Sequence, residues 1–434
     1  MITLSCSTPD GERVELSYDP HTSELLYEDG TPVFEHEPPT EPFAPVHRVS
    51  PDDPGRKSRS PDTLKIQLGL GCNYGCSYCS QASQVGAATL SKTADVQSFL
   101  RDLDVWLERP PRHIEFWGGE PLLYFAKLRA LVPELDRRFP EAGFSMISNG
   151  SLLDEEIAEF ILDWDIEIAI SHDGPGQHIR GLDPFDDSDC LRWIRHLWSA
   201  LGPRHRMTFN AVLTPGNSDP VAIRQWFVER IGDPNVAVSL EGVVSTYDAK
   251  TRNGIGSWTE EQYAQMHEDI VAAFESGEAF DIPALRDRAI DFIESLKTRR
   301  PSLALGQKCG MDRSDQLAVD LKSNVLTCQN VGAKSQHRIG SALAMDSVAL
   351  NTSSHWSHRR ECNMCPVLQM CRGSCMYITD CDFAQSCESE YAFNLAVLSG
   401  ILQATVSLRL DFAQLTLVKR KRKTKLIALA AYVH

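Results

Sequence analysis

The sequence predicts an α/β protein: a partial (β/α)6 barrel, a short β-rich segment before it and a cysteine-rich region after it that metal must organise. Three observations carry this. Six apolar strand segments alternate with helical segments between Leu64 and about Ser276, residues 1–35 alternate in strand fashion, and eight of the 13 cysteines crowd into Cys309–Cys387 with few periodic runs. Strands separated by helices favour parallel pairing with crossover connections, whereas a segment dense in cysteine and poor in periodic apolar residues draws its stability from ligation.

In chain order, Val14, Leu16 and Tyr18, then Leu25, Leu26 and Tyr27 before the turn Glu28-Asp29-Gly30, read as two or three short strands. Residues 36–62 hold seven prolines and are expected to be an extended linker. The barrel is expected over 63–280, with strands at Leu64–Leu70, His113–Trp117, Gly143–Ile147, Ile166–Ser171, Met207–Leu213 and Val236–Val243. Val96, Phe99, Leu100, Leu103 and Trp106 share one helical face, and Asp154 can cap a helix whose face carries Ile157, Phe160, Ile161 and Trp164. A connecting helix is expected over 281–305 and the cysteine-rich domain over 306–390. Residues 391–434 should be a helix and a basic tail. The uncharged run Ala392–Leu408 is shorter than a membrane span and carries Asn394 and Gln403, so it is expected to pack as a helix.

Composition narrows the function. The 434 residues carry a net charge of -16, which disfavours a nucleic-acid partner. Lys419–Lys425 bears six positive charges, expected to be a solvated tail, with contact to an acidic partner as the alternative. No export signal opens the chain at Met1-Ile2-Thr3-Leu4-Ser5, so a cytoplasmic location is expected, and there thirteen thiols point to metal rather than disulfides.

Cys72, Cys76 and Cys79 follow the first barrel strand directly. Three thiolates this close can hold three corners of a cubane and leave the fourth iron to a substrate or cofactor. A zinc knuckle is the alternative, but no fourth ligand follows nearby. With Tyr78 before the last cysteine, this Cys-x3-Cys-x2-Cys run resembles the signature of the radical S-adenosylmethionine (SAM) superfamily. Three further motifs resemble the family in order, each at the end of a successive strand: Gly118-Gly119-Glu120-Pro121, Ser148-Asn149-Gly150 and Ser171-His172-Asp173-Gly174-Pro175. The resemblance implies a TIM-like barrel, a [4Fe-4S] cluster on the three cysteines and reductive cleavage of SAM to a 5'-deoxyadenosyl radical. It further implies that Glu120 receives the methionine ammonium, that Ser148 and Asn149 lie at the ribose, and that Ser171 and Asp173 contact the cofactor.

Downstream, Cys362-x2-Cys365-x5-Cys371-x3-Cys375, the pair Cys309-x18-Cys328 and Cys387 resemble the SPASM domain, which binds two auxiliary iron-sulfur clusters. The resemblance assigns Cys362, Cys365, Cys371 and Cys387 to a distal cluster and Cys309, Cys328 and Cys375 to a proximal one. Cys381 is surplus, either the fourth proximal ligand or a free thiol open to a catalytic role, and no other catalytic residue is identified. A pair of zinc sites is the alternative for the whole set. Cys6 and Cys190 match no motif and are expected to be small buried hydrophobes. Two positions depart from the family pattern. Ser323 stands where the family has a glycine, and Gln329 stands where sulfatase-maturing relatives carry an aspartate base.

The function this implies is a peptide maturase that crosslinks side chains of a ribosomally made precursor oxidatively, through carbon-carbon or thioether bonds. Its expected partners are that precursor and a reductant such as flavodoxin or ferredoxin, with no nucleic acid and no membrane. The alternatives are a sulfatase-type maturase, a dehydrogenase or epimerase of the same superfamily, and a non-catalytic electron carrier. The N-terminal strands are expected to be a packing flap, with leader binding by edge pairing the alternative.

Overall fold

The computed structural model describes residues 1–87, 89–242, 258–378 and 380–411, without the side chains of 85–87, 380–382 and 385. The basic run 419–425 and the Cys381 side chain therefore lie outside the described residues.

The first three strands, β1 (Ile2–Ser7), β2 (Arg13–Asp19) and β3 (Glu24–Tyr27), form an antiparallel meander. Its inward residues Leu4, Leu16, Tyr18 and Leu25 are buried, and the Tyr18 ring meets Phe292 edge to face at 6.1 Å. Within the proline-rich segment Gly55–Arg56 forms a two-residue strand, β4.

The barrel strands are β5 (Thr63–Gly69), β6 (His113–Gly118), β7 (Gly143–Ser148), β8 (Glu167–Ser171), β9 (Met207–Val212) and β10 (Val238–Glu241), each parallel to the next. Between them run α1 (Asp95–Trp106), α2 (Phe125–Arg138), α3 (Glu155–Asp163), α4 (Ser188–Leu201) and α5 (Pro220–Ile231). Alternation along each strand sorts the two faces. On β5, Leu64, Ile66 and Leu68 are fully buried with the apolar core, while Lys65 and Gln67 take the opposite face. The predicted face of α1 is buried in full, and Asp154 caps α3 by accepting from the Ile157 amide at 2.9 Å.

Helices α6 (Glu260–Ser276) and α7 (Pro283–Lys297) lead to β11 (Gln316–Asp320), β12 (Asn324–Leu326) and β13 (Arg338–Ser341). Here the structure adds what the sequence does not announce: β11 pairs in parallel with β5, so the barrel and the cysteine-rich half share one sheet, ordered β10-β9-β8-β7-β6-β5-β11-β12-β13 among the described residues. A short strand β14 (Ala349–Leu350) holds β4, and the four-residue α8 (Leu368–Cys371) precedes the long α9 (Asp380–Val406). Residues Leu395–Leu398 of α9 are fully buried, and among the described residues no helix is long and apolar enough to cross a membrane. Finally β15 (Arg409–Leu410) pairs with β1, which leaves β3 and β15 as the edges of the N-terminal sheet. Cys6 is buried as expected, but Cys190 is half-buried, its thiol donating to the carbonyls of Ser151 and Leu153. It sits at the exposed start of α4, where a loop rather than a core covers it.

Candidate functional site

The four motifs meet at the C-terminal ends of β5 to β8, the face where barrels of this kind carry chemistry. The loop after β5 carries Cys72, Cys76 and Cys79, with the Cys79 amide donating to the Cys76 carbonyl at 3.0 Å. Cys72 is exposed, and Cys76 and Cys79 are half-buried. Burial pushes the Cys76 thiol up to about 11, with the neighbouring Arg180 guanidinium pulling the other way and Cys79 and Cys72 adding to the rise. The three thiols therefore lie within electrostatic reach of one another.

Close backbone packing explains the paired glycines after β6. A Cβ on Gly119 would meet the Gly71 carbonyl oxygen at 2.5 Å and that of Leu70 at 2.6 Å, and one on Gly118 would meet the Gly69 oxygen at 2.8 Å. No larger residue fits without moving the cysteine loop. Glu120, 1% exposed, accepts from the Leu122 amide (2.9 Å), the Ser148 hydroxyl (2.8 Å) and the Asn149 amide (2.7 Å). Burial pushes its pKa up, and these three donors oppose the shift. Glu120 thus ties the end of β6 to the end of β7, and Asn149 reaches on to the Asn73 side chain (2.9 Å) in the cysteine loop.

Asp173 is fully buried and both its oxygens are engaged, Oδ2 by the Tyr78 hydroxyl (2.5 Å) and Oδ1 by the Val212 amide (2.9 Å). Arg180 completes this cluster. Its guanidinium donates to the Tyr78 oxygen at 2.6 Å and pairs with Asp173 at 3.5 Å. Pro121 opens the short turn after Glu120, and Ser171 ends β8 opposite Asn210. Sequence reading missed Arg180. The available signal was a charged residue seven positions after Asp173, which has meaning once the fold carries it to Tyr78, 102 residues away. Below the mouth, the inner wall carries Lys65 paired with Glu115 at 2.7 Å, and the Trp117 indole donates to the same carboxylate oxygen at 2.8 Å.

The remaining cysteines fall into two groups. Cys362, Cys365, Cys371 and Cys387 line one small cavity of about 20 Å3 with Leu368 and Phe383. Electrostatic coupling follows the same division: Cys371 feels Cys365, Cys387 and Cys362, whereas Cys375 feels Cys309 and Cys328. Burial pushes Cys328 up to about 11 and Cys375 up to about 12. Cys309 admits solvent yet is surrounded by protein, as a side chain facing an internal space would be. Among the described residues no three Cys, His, Asp or Glu side chains converge tightly enough to grip a single ion. Thiols spread around a cavity are instead a donor set that fits the wider frame of an iron-sulfur cubane.

Ser323 takes the left-handed backbone its position demands (φ 58°), and its buried hydroxyl donates to Asp102 Oδ2 at 2.6 Å. The tight turn survives the loss of glycine. Gln329 is buried; its backbone carbonyl accepts from the Gln67 side-chain amide of β5 at 2.7 Å, while its side-chain oxygen has no hydrogen-bond partner among the described residues.

Residues 66–219 match the Radical SAM superfamily, so the chain carries a radical SAM domain, and the four motifs all lie within it. The fold as a whole is that of a radical SAM barrel followed by a SPASM-type cysteine-rich half. Its similarity to solved structures covers both parts: to anSMEcpe with bound AdoMet and Cp18Cys peptide the TM-score is 0.57 at 18% identity, over 79% of this chain and 99% of that one. Streptococcus suis SuiB bound to precursor peptide SuiA matches with a TM-score of 0.46 at 14% identity, over 75% of this chain and 76% of that one. An uncharacterized protein of Methanocaldococcus jannaschii is 32% identical over 106 residues, 24% of this chain, and the match spans about a third (35%) of that relative.

Proposed function

We propose that the chain is a peptide-modifying radical SAM oxidoreductase that crosslinks side chains of a ribosomally made precursor through carbon-carbon or thioether bonds. With cluster and SAM bound, reductive cleavage supplies a 5'-deoxyadenosyl radical able to take hydrogen from an unactivated carbon. In this reading Cys72, Cys76 and Cys79 hold the SAM cluster. Glu120 would receive the methionine ammonium, with Ser148 and Asn149 fixing the carboxylate's orientation. Asp173 acts at one remove: through Tyr78 and Arg180 it braces the loop that carries Cys76 and Cys79.

The observation that supports the proposal is the shared sheet, which joins the cysteine-rich half directly to the barrel; auxiliary clusters bound in that half would take up an electron given up by an oxidised substrate. The anSMEcpe structure, solved with AdoMet and a peptide, supports a peptide as the substrate. Gln329 speaks against a formylglycine-forming enzyme, because its amide cannot take up a proton at the position of that family's base. The test is anaerobic co-expression with a short open reading frame beside the gene, read by tandem mass spectrometry. Loss of two hydrogens with fragmentation blocked between two residues is expected. An unchanged mass with inverted chirality would make the chain an epimerase instead.

A further inference from the structure

Lys57 lies in the proline-rich segment before the barrel, yet its side chain is buried, 7% exposed. Its ammonium donates to three backbone carbonyls, those of Met311 (2.6 Å), Arg313 (2.8 Å) and Gln316 (3.0 Å). These belong to the loop that begins just after Cys309 and ends at the first residue of β11, the strand that leads on to Cys328. All three partners are neutral, and no ion pair is formed with a carboxylate among the described residues. The charged groups facing Lys57 are Asp312, Asp315 and the thiols of Cys309 and Cys328. Asp315 is held by Arg313, and Asp312 accepts from the Gln307 amide.

A buried ammonium without a directly bound anion is costly unless negative charge stands close by. Asp312 supplies part of it, and thiolates carrying an anionic cluster would supply the rest. Lys65 also faces Cys309 and Cys328, but Glu115 neutralises it at 2.7 Å. Around the distal thiols the balance differs: Glu390 faces Cys371 and Glu361 faces Cys362, against Arg359, which lies between the two groups.

We propose that Lys57 is a positioning residue for the proximal auxiliary cluster: it pins the Cys309 loop and holds one positive charge against the cluster, making it easier to reduce than the distal one. The proposal rests on reading Cys309, Cys328 and Cys375 as cluster ligands. The physical reason is that reduction adds one negative charge, which a fixed cation in a low-dielectric setting stabilises.

The experiment is a redox titration of the reconstituted full-length protein, followed by electron paramagnetic resonance, with Lys57→Met, Lys57→Arg and Lys65→Met. At fixed potential Lys57→Met should lower the reduced-to-oxidised ratio of one auxiliary signal about tenfold, roughly 59 mV for one electron. The other auxiliary signal and the SAM-cluster signal should stay in place. Lys57→Arg should return the ratio to within about threefold of the starting protein, and Lys65→Met should move it by less than that, since Glu115 already meets its charge. In the iron-free protein, amide hydrogen exchange over residues 309–316 should rise about tenfold in Lys57→Met, because that loop loses its clamp.

If Lys57→Met does not retain the cluster, Lys57→Gln keeps a donor for the carbonyls without the charge and should show the same shift. An unshifted potential in a fully loaded Lys57→Met or Lys57→Gln protein would overturn the proposal. Unmutated protein that binds about four iron and shows no auxiliary signals would instead remove the ligand reading beneath it.

Discussion

At the barrel mouth Cys72, Cys76 and Cys79 sit on a loop shaped from outside, by Glu120 and Asn149 and by Asp173 and Arg180, which meet the loop's own Tyr78. The auxiliary thiols occupy the opposite situation. Cys362 is buried in a small cluster with Trp356, Leu305 and Phe383, against which Cys365, Cys375 and Cys387 pack, while Cys371 packs against the main core. The first array is built on a fold that an alternating apolar pattern already stabilises. The second includes a small cluster of few apolar residues around its thiols, so there the ligands are also the structure, and the two arrays should respond differently when the metal is taken away.

Chelation should show the largest contrast. Stripping iron anaerobically should raise the rate of proteolysis within residues 355–390 by about 100-fold or more and leave the sheet strands β5 to β9 and β11 protected, because local stability in the sheet comes from buried apolar contacts. Limited proteolysis with mass mapping reads this directly. Equal loss of protection in both halves would break the distinction.

The same contrast has a pH dependence. A thiol in the unfolded chain titrates near its ordinary value of 9.0, whereas burial holds Cys328 at about 11 and Cys375 at about 12. Between those values the unfolded chain releases protons that the folded chain keeps. Iron-free stability is therefore full below pH 9 and falls as pH rises, by about 1 kcal/mol per buried thiol at pH 10. Loaded protein, whose thiolates are already ionised and bound, should show a much flatter profile when Tm is compared at pH 8 and pH 10.

Glu120→Gln tests the external bracing. An amide in its place keeps one acceptor and turns a donor toward a backbone N–H, so SAM affinity should fall by about 10- to 100-fold, on the order of 2 kcal/mol. Calorimetric titration of the loaded protein measures it, and unchanged affinity would detach Glu120 from the cofactor.

Effects confined to one turn are expected at Ser323. Ser323→Ala loses the hydrogen bond to Asp102 and keeps the left-handed backbone, which should lower stability by about 2 kcal/mol. Ser323→Gly also relieves the backbone and should cost about 1 kcal/mol. Denaturant midpoints of the two variants give the comparison.

How far the sequence reached follows the same division. Apolar runs marked all six barrel strands and Asp154 marked its helix start, whereas the division of the auxiliary cysteines came from the family resemblance and not from their spacing. What it did not carry were partners made by long-range closure. Arg180 meets Tyr78, Lys57 meets the Cys309 loop, β11 joins β5 and β15 joins β1 across separations that local periodicity does not encode. Ser323 belongs to the same class. A missing glycine looked like a lost turn, and a side chain from 221 residues upstream in α1 holds that turn in place.

The central claim is that the barrel-mouth thiols, and not the auxiliary ones, carry SAM cleavage. Its most direct test is the yield of 5'-deoxyadenosine after anaerobic reduction with SAM, in the unmutated chain, Cys76→Ala and Cys362→Ala. The account predicts product from the unmutated chain, measurable product from Cys362→Ala and none above background from Cys76→Ala. Product from Cys76→Ala at the unmutated level would contradict it.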